Sequence, residues 1–349
     1  MQIGLFNGLV LADASQRPED VVATTKEMVR RADDLGFDIA WFVEHHFSAF
    51  SLCASPLGMA MHCAGFTRRI RLGAGVIVMP LHHPLRVVEE IGMLDQLSGG
   101  RAVVGIGTGH QPHEFRSLGV GMEERMGRLF EGWDILRAAW RDGRVAHKGA
   151  YYDIPETVFA IRPLGNRVPE LFVATHVRPI MEKAAADGAA LFISPGPRKL
   201  EQALAARAEV MAAAAAVGVN ENNVKLAVQR YVFVTPDRAV ARRAAEQMVH
   251  FMRRMRILRE EHPPRQGIYF DSVPFPGEPS VDWLLENAPI GDPETVAERL
   301  LPDIPALRPH HLSIYMGYSW LPPREVLRSL DLFGAHILPR LRDAARALA

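Results

Sequence analysis

The sequence predicts a closed (β/α)8 TIM barrel, and three observations predict it. Strand-like and helix-like segments alternate through about eight consecutive units. The strand-like segments are near-continuous apolar runs, which is how strands buried on both faces of a parallel sheet read. No linker divides the 349 residues, although that length suits about two average domains. Two doubly wound halves would each leave a sheet edge open and would need a boundary between them. A single barrel over 1–349 with insertions is the economical solution.

Each element can be justified in order. Ile3–Leu9 is the first apolar strand. From Pro18 to Leu35, Val21, Val22, Met28, Val29 and Leu35 fall at helical spacing. Pro18 stands near the start of that helix and Gly36 just past its end, the expected asymmetry. Phe37–Val43 is a strand, Pro56–Phe66 a helix, Ile70–Met79 a strand and Pro84–Leu97 a helix. Gly99-Gly100 turns the chain into strand Ala102–Ile106, and Met122–Trp140 is an amphipathic helix. Tyr151–Ile161 reads as a hairpin of short strands, inside an insertion over about 141–169. Glu170–Thr175 is a strand, Pro179–Asp187 a helix, Ala190–Ile193 a strand and Arg198–Val217 an alanine-rich helix. Val224–Val234 is a strand and Asp237–Arg259 a basic helix. Six prolines then break the rhythm over 261–289, which predicts a second insertion over about 260–290. Helix Asp292–Leu301, strand His311–Met316 and helix Pro323–Leu348 complete the pattern. Gly73-Ala74-Gly75 is odd inside a strand. Glycine weakens a strand, so a bulge or the close approach of a ligand is expected there.

Composition narrows the function classes. Lys+Arg and Asp+Glu number 40 each, giving a formal net charge of zero. A balanced chain has no global field for holding a polyanion, so no nucleic-acid partner is expected. Two cysteines, Cys53 and Cys63, supply neither a disulfide framework nor a four-thiolate zinc site. An apolar content of 48% excludes disorder. Met1–Val10 is apolar, but no basic stretch precedes it and no cleavage pattern follows it. No uncharged stretch reaches the ~18 residues that would span a bilayer. A cytoplasmic protein without a membrane partner is expected.

Chemistry in this fold sits at the C-terminal ends of the strands. The polar residues there are Asn7 after strand 1, Glu44-His45-His46 after strand 2 and His82-His83 after strand 3. Thr108 and His110 follow strand 4, Thr175-His176 and Arg178 follow strand 5, and Ser194 follows strand 6. With His113, these ends gather seven of the 14 histidines. Histidine titrates near neutrality and serves as a general base or a metal ligand. His110-x-x-His113-Glu114 can place two imidazoles on one helical face. The first strand, however, carries no His or carboxylate, and adjacent pairs such as His45-His46 point opposite ways in a strand. No metal is therefore expected. His110 and His113 are as well explained as solvated loop residues, and His82 reads as an ordinary one. The turn Gly105-Ile106-Gly107-Thr108-Gly109 lets a ligand approach the backbone, but it is not a dinucleotide fingerprint. Arg178, at the start of the helix after strand 5, is the candidate anion ligand, because a guanidinium beside a helix N-terminus suits a phosphate.

Several runs together resemble the bacterial luciferase-like flavin monooxygenases. They are Glu44-His45-His46-Phe47, Val76-Ile77-Val78-Met79-Pro80, His83-Pro84-Leu85-Arg86 and Leu94-Asp95-Gln96-Leu97-Ser98-Gly99-Gly100-Arg101. Ile290-Gly291-Asp292-Pro293-Glu294 and the final Leu332-Phe333-Gly334-x-x-Ile337-Leu338-Pro339 are similar too. The resemblance implies a barrel that binds reduced FMN at its mouth, attack of O2 on the flavin to give a peroxyflavin, and oxygenation of a small, fairly apolar organic substrate. It also implies a separate NAD(P)H-dependent flavin reductase and a homodimer. His45 matches the family's catalytic histidine, and Glu44 the acid before it. Gly75-Val76 match a peptide that is cis in relatives, beneath the flavin ring, and His83 matches a polar position near the pocket. Where the family's luciferases carry a reactive Cys and a phosphate-binding Arg after strand 4, Gly107 and Thr108 stand here. Thr108 is then expected to hydrogen-bond the phosphate while Arg178 supplies the charge. Thr175-His176 replace a Glu-Ser pair at the flavin edge. These departures argue against light emission and fit a general monooxygenase. A deazaflavin-dependent hydride-transfer enzyme and a non-catalytic flavin-binding protein are the alternatives. The segment 261–289 corresponds to a lid, in which Tyr269, Phe270, Phe275 and Trp283 are expected to cover the substrate.

Overall fold

The eight apolar runs become eight parallel strands in a computed structural model, which describes residues 1–194, 196 and 200–348. They are β1 (Gln2–Asn7), β2 (Ile39–Phe42), β3 (Arg71–Val78), β4 (Ala102–Gly107), β5 (Glu170–Ala174), β6 (Ala190–Ile193), β7 (Leu226–Tyr231) and β8 (His311–Tyr315). The ring closes as β1-β8-β7-β6-β5-β4-β3-β2, so sequential strands are neighbours throughout. Every residue of β2, β4, β6, β7 and β8 is buried. That is why the strands read as largely apolar runs, with Gln229, Arg230, His311 and Ser313 as buried polar exceptions: one face fills the barrel and the other receives a helix.

Alternate residues point into the barrel and stack in layers. The first inward residues of β1, β3 and β5 are Gln2, Arg71 and Glu170. At this closed end Arg71 donates to Glu170 at 2.8 Å, and His310, just before β8, lies 2.6 Å from the same carboxylate. Above them Trp41 packs edge-on against Phe172 at 4.9 Å and donates its indole N–H to His311 Nε2 at 2.9 Å. The interior is thus a packed plug from the bottom to its middle layer.

Helix Pro18–Leu35 ends where Gly36 takes the left-handed conformation, φ 84°. The terminal helix breaks at Ile337 into Pro323–His336 and Leu338–Arg346, with Pro339 in the first turn of the second piece. The helix expected from Arg198 is described from Leu200, because 197–199 lie outside the described residues. The first insertion is the antiparallel hairpin Arg144–Lys148 with Asp153–Val158. Its first strand lies before Tyr151, in a polar stretch without an apolar run to announce it.

The second excursion is larger than the prolines suggested. After Tyr231 the chain leaves the ring, and Phe233–Val234 pairs with Ile290–Gly291 in a separate two-stranded sheet. Everything between these two strands is one excursion, including helix Arg238–Ile257. That helix has strong helical periodicity, so its sequence reads like any barrel helix.

Candidate active site

The C-terminal ends of the strands open into a cavity of about 600 Å³. One wall is backbone. Gly75, Val76, Gly107 and Thr108 line it, the Gly75–Val76 peptide bond is cis, and the β3–β4 register shifts between Ala74 and Ile77. This is the irregularity that glycine in a strand foretold. A Cβ on Gly75 would lie 3.1 Å from Phe6 Cε2, and one on Gly107 would lie 2.9 Å from Val76 Cγ2. Both glycines keep the wall flat.

Behind that wall lies Glu44, whose side chain is fully buried. Its Oε1 is 2.9 Å from His46 Nε2 and 2.7 Å from His82 Nε2, and its Oε2 accepts the Val78 N–H at 3.0 Å. Burial works to raise the Glu44 pKa. The hydrogen bonds from His46 and His82, the His82 charge and the Val78 amide outweigh it and bring the pKa down to about 2. For His82, burial works downward, but the hydrogen bond and charge of Glu44 prevail and raise its pKa. Glu44 therefore ties the loop after β2 to the backbone of β3 as an ionised carboxylate.

His45 points to a second buried carboxylate. Its Nδ1 is 3.2 Å from Glu114 Oε1 and 2.6 Å from Gln111 Nε2. The same Glu114 oxygen accepts the His46 N–H at 2.7 Å. One nitrogen cannot donate to the carboxylate and accept from the amide at once. A charge-assisted hydrogen bond is about twice as strong as a neutral one, so Glu114 prevails and Nδ1 carries the proton. Gln111 Oε1 is buried without a partner, and rotation of that amide gives Nδ1–H a second acceptor. Nε2 is left as the basic atom of His45. The ring is braced edge-on by Phe50 at 5.2 Å, which stacks on Phe251 of the excursion at 5.5 Å.

Another part of the cavity gathers basic side chains, with Glu209 also in its lining. His110, His176, Arg125 and Arg259 line it with Thr175. Enclosure by the walls, then the charges of His45, Arg259, His176 and Arg125, push the His110 pKa down, so this imidazole is neutral. Arg125 and Arg259 make no ion pair among the described residues. An unpaired guanidinium facing a cavity is a ready anion ligand.

Of the residues given a catalytic or cofactor-binding role in the sequence, Glu44, His45, Gly75, Val76, Thr108, Thr175 and His176 converge on this cavity. Two do not. Arg178 points outward along its helix, bonded to Glu182 at 2.6 Å and to the Ala212 carbonyl at 2.8 Å. It stands at the first position of a helix, where the side chain sweeps away from the mouth. His83 precedes helix Pro84–Leu97 without a capping hydrogen bond from its side chain and packs on Tyr152 at 5.8 Å, while its neighbour His82 turns in to Glu44. His110 opens on the cavity but His113 turns to Phe270 and the His46 carbonyl. Among the described residues, no three His, Cys, Asp or Glu gather as a metal-binding group. None of Tyr269, Phe270, Phe275 and Trp283 lines the cavity; Phe270 packs with Ile257, Leu258 and Phe50 instead. The excursion reaches the cavity through Met255 and Arg259. Sequence reasoning missed Gln111, Arg125 and Arg259, and it named Glu114 only within the His110-x-x-His113-Glu114 run, not as the partner of His45. A buried acid four residues after a neutral His is a weak signal for Glu114; for the two arginines none existed, because each sits in an ordinary helical pattern. No helix among the described residues is long and apolar enough to cross a membrane.

Comparison with known proteins follows this geometry. The model of the luciferase-like monooxygenase family matches residues 1–302. The protein y4vJ of Sinorhizobium fredii is 31% identical over 331 residues, covering 94% of each chain. The oxygenase component of the flavin-dependent trigonelline monooxygenase of Acinetobacter baylyi is 28% identical over 197 residues, 56% of this chain and 54% of that one. Among solved structures, the oxygenating constituent of 3,6-diketocamphane monooxygenase from Pseudomonas putida, in complex with FMN, superposes with a TM-score of 0.77. It is 20% identical and the match covers 97% of this chain and 98% of that one, a likeness of fold.

Proposed function

The chain belongs to the luciferase-like monooxygenase family, and on that premise we propose that it is the oxygenase of a two-component system. It takes reduced FMN from a separate NAD(P)H-dependent reductase and uses O2 to oxygenate a small, fairly apolar organic molecule. The observation that carries this reading is one cavity that joins a flat glycine-lined wall, a carboxylate-held imidazole and unpaired guanidinium groups. These residues fit FMN. Gly75, Val76 and Gly107 suit a planar ring, and an unpaired Arg125 suits a terminal phosphate with Thr108, Thr175 and His176 as hydrogen-bonding neighbours.

Reduced FMN, when bound, supplies the electron pair that activates O2. The chain's own residues do the rest. Glu114 fixes the His45 tautomer, so that Nε2 holds or gives up the proton that oxygen transfer requires. Glu44 holds His46, His82 and the Val78 amide in place and sets the shape of the wall. Met255 lines the cavity and helps exclude water from it, while Phe50, stacked on Phe251, braces the His45 ring.

The reading is tested by anaerobic titration with reduced FMN and, in parallel, with a reduced deazaflavin, followed by admission of O2. Tight binding of reduced FMN and O2 uptake are expected. Preference for the deazaflavin with no O2 uptake would replace the oxygenase by a hydride-transfer enzyme. Binding of FMN without any reaction would leave a carrier.

A further inference from the structure

Across the ring from the backbone wall stands a polar group that the proposed chemistry does not use. In an eight-strand ring β7 lies opposite β3. Gln229, on the inward face of β7, is 6% exposed, and what it exposes is open to the cavity. Its Oε1 is already taken: Ser194, just past β6, donates its hydroxyl to it at 2.9 Å. Ser194 Oγ is also 3.4 Å from Tyr231 Oη, and Tyr231 in turn donates to Met255 Sδ at 3.9 Å. Ser194 holds the Oε1 side of the amide, and Tyr231 and Met255 line up behind that hydroxyl. Among the described residues, neither N–H of Gln229 Nε2 has a partner. Facing the cavity, these N–H groups are open to a ligand. The surrounding walls are Phe6, Phe192, Ile193 and Met255, with no charge among them.

We propose that Gln229 Nε2 donates to an uncharged acceptor oxygen, a carbonyl, on an otherwise apolar substrate, and so orients that substrate across the cavity from the Gly75–Val76 wall. The inference rests on the proposed flavin site, since it takes β3 to β5 as the cofactor side and β6 to β7 as the substrate side. Full charge is disfavoured at this spot because Gln229, Ser194 and Tyr231 offer no countercharge. The arginines of the cavity serve an anion elsewhere in it. A site built to hydrogen-bond an oxygen rejects the analogue that lacks it, because its own polar group is then left unpaired. Gln229 is thereby a specificity-determining residue.

The probes are 2-decanone and 2-methyl-1-decene, which differ in C=O against C=CH2. Dissociation constants are measured calorimetrically on protein with and without FMN, for the wild type, Gln229→Leu and the near-isosteric Gln229→Met. Wild type is expected to prefer the ketone by tenfold or more. Both variants should erase that preference while keeping the alkene and FMN affinities within twofold. The infrared carbonyl stretch of bound ketone should shift to lower frequency in the wild type and revert in the variants. No ketone preference in the wild type overturns the proposal, and so does a preference that survives in both variants. A loss of FMN affinity with ketone preference intact assigns the amide to the cofactor and overturns it as well. If FMN does not bind at all, the proposed function falls, while the ketone and alkene measurements on the unloaded protein still decide the role of Gln229. Should neither variant fold, the wild-type preference and its infrared shift decide alone.

Discussion

The two ends of the barrel each gather donors around one carboxylate, half-buried at the closed end and fully buried at the mouth, and they do it differently. At the closed end, Glu170 takes Arg71, His310 and Gln2. At the mouth, Glu44 takes His46, His82 and a backbone amide. Burial opposes ionisation at both, and the donors win at both, so each pKa falls to about 2. The difference lies in the donors. A guanidinium is charged at any working pH, so at the closed end Arg71 is a permanent partner of Glu170 beside the His310 imidazole. The mouth uses imidazoles, which change charge near neutrality. The same device serves as scaffold at one end and as a protonation-sensitive support at the other, and the next carboxylate, Glu114, extends that support to His45.

The comparison is broken most easily at His45. Replacing it with Ala should lower turnover by roughly 10²–10⁴-fold, with thermal stability nearly unchanged. Turnover within threefold of wild type would remove His45 from the chemistry. Next comes the anion ligand. Arg125→Ala should weaken FMN by roughly 10–100-fold and leave riboflavin, which lacks the phosphate, unaffected; Arg178→Ala should change neither. The reverse pattern in a binding titration would restore Arg178. Glu114→Gln keeps the shape but frees the His45 tautomer, so turnover should drop by about tenfold and its pH profile should move; an unmoved profile would mean that Glu114 only packs. At the closed end Glu170→Gln should cost about 1 kcal/mol in denaturant unfolding and leave turnover alone.

The smallest effect concerns pH. Glu44 and Glu170 have lowered pKa values, so their contributions are present above the unfolded carboxylate value of 4.5 and are lost as pH falls toward 2. His82 has a raised pKa, so its contribution is complete below the unfolded value of 6.5 and fades as pH rises through the folded one. Its side chain is 33% exposed, and solvent screens the pair. Melting temperature should therefore fall only slightly above neutrality, and His82→Ala should flatten that fall. A slope that persists in the variant would place the titrating group elsewhere.

The barrel was legible because strands buried on both faces are apolar at most positions. Gly73-Ala74-Gly75 betrayed the irregular wall for an equally physical reason, since glycine in a strand needs a cause. The excursion after β7 was legible only in its proline-rich half. Helix Arg238–Ile257 carries a buried stripe whether it packs on the barrel or rises to the mouth. Site residues were legible where a strand end fixes their direction, as for Glu44 and His45. They were not where adjacent residues diverge: His82 turns in while His83 turns out, and Arg178 leaves the mouth while Arg125 reaches it. Residue type and rough position are written in the sequence, but the rotation of a side chain about its element is set by packing.

The central claim is that the mouth, with its carboxylate-held histidines, controls how reduced FMN meets O2. The most direct measurement is stopped-flow absorbance of the protein–reduced FMN complex mixed with O2, in the wild type and in His45→Ala. The account predicts flavin reoxidation in two separable steps in the wild type, with the second step changed in His45→Ala. Reoxidation in one step at the rate of free flavin, the same in both proteins, would contradict it.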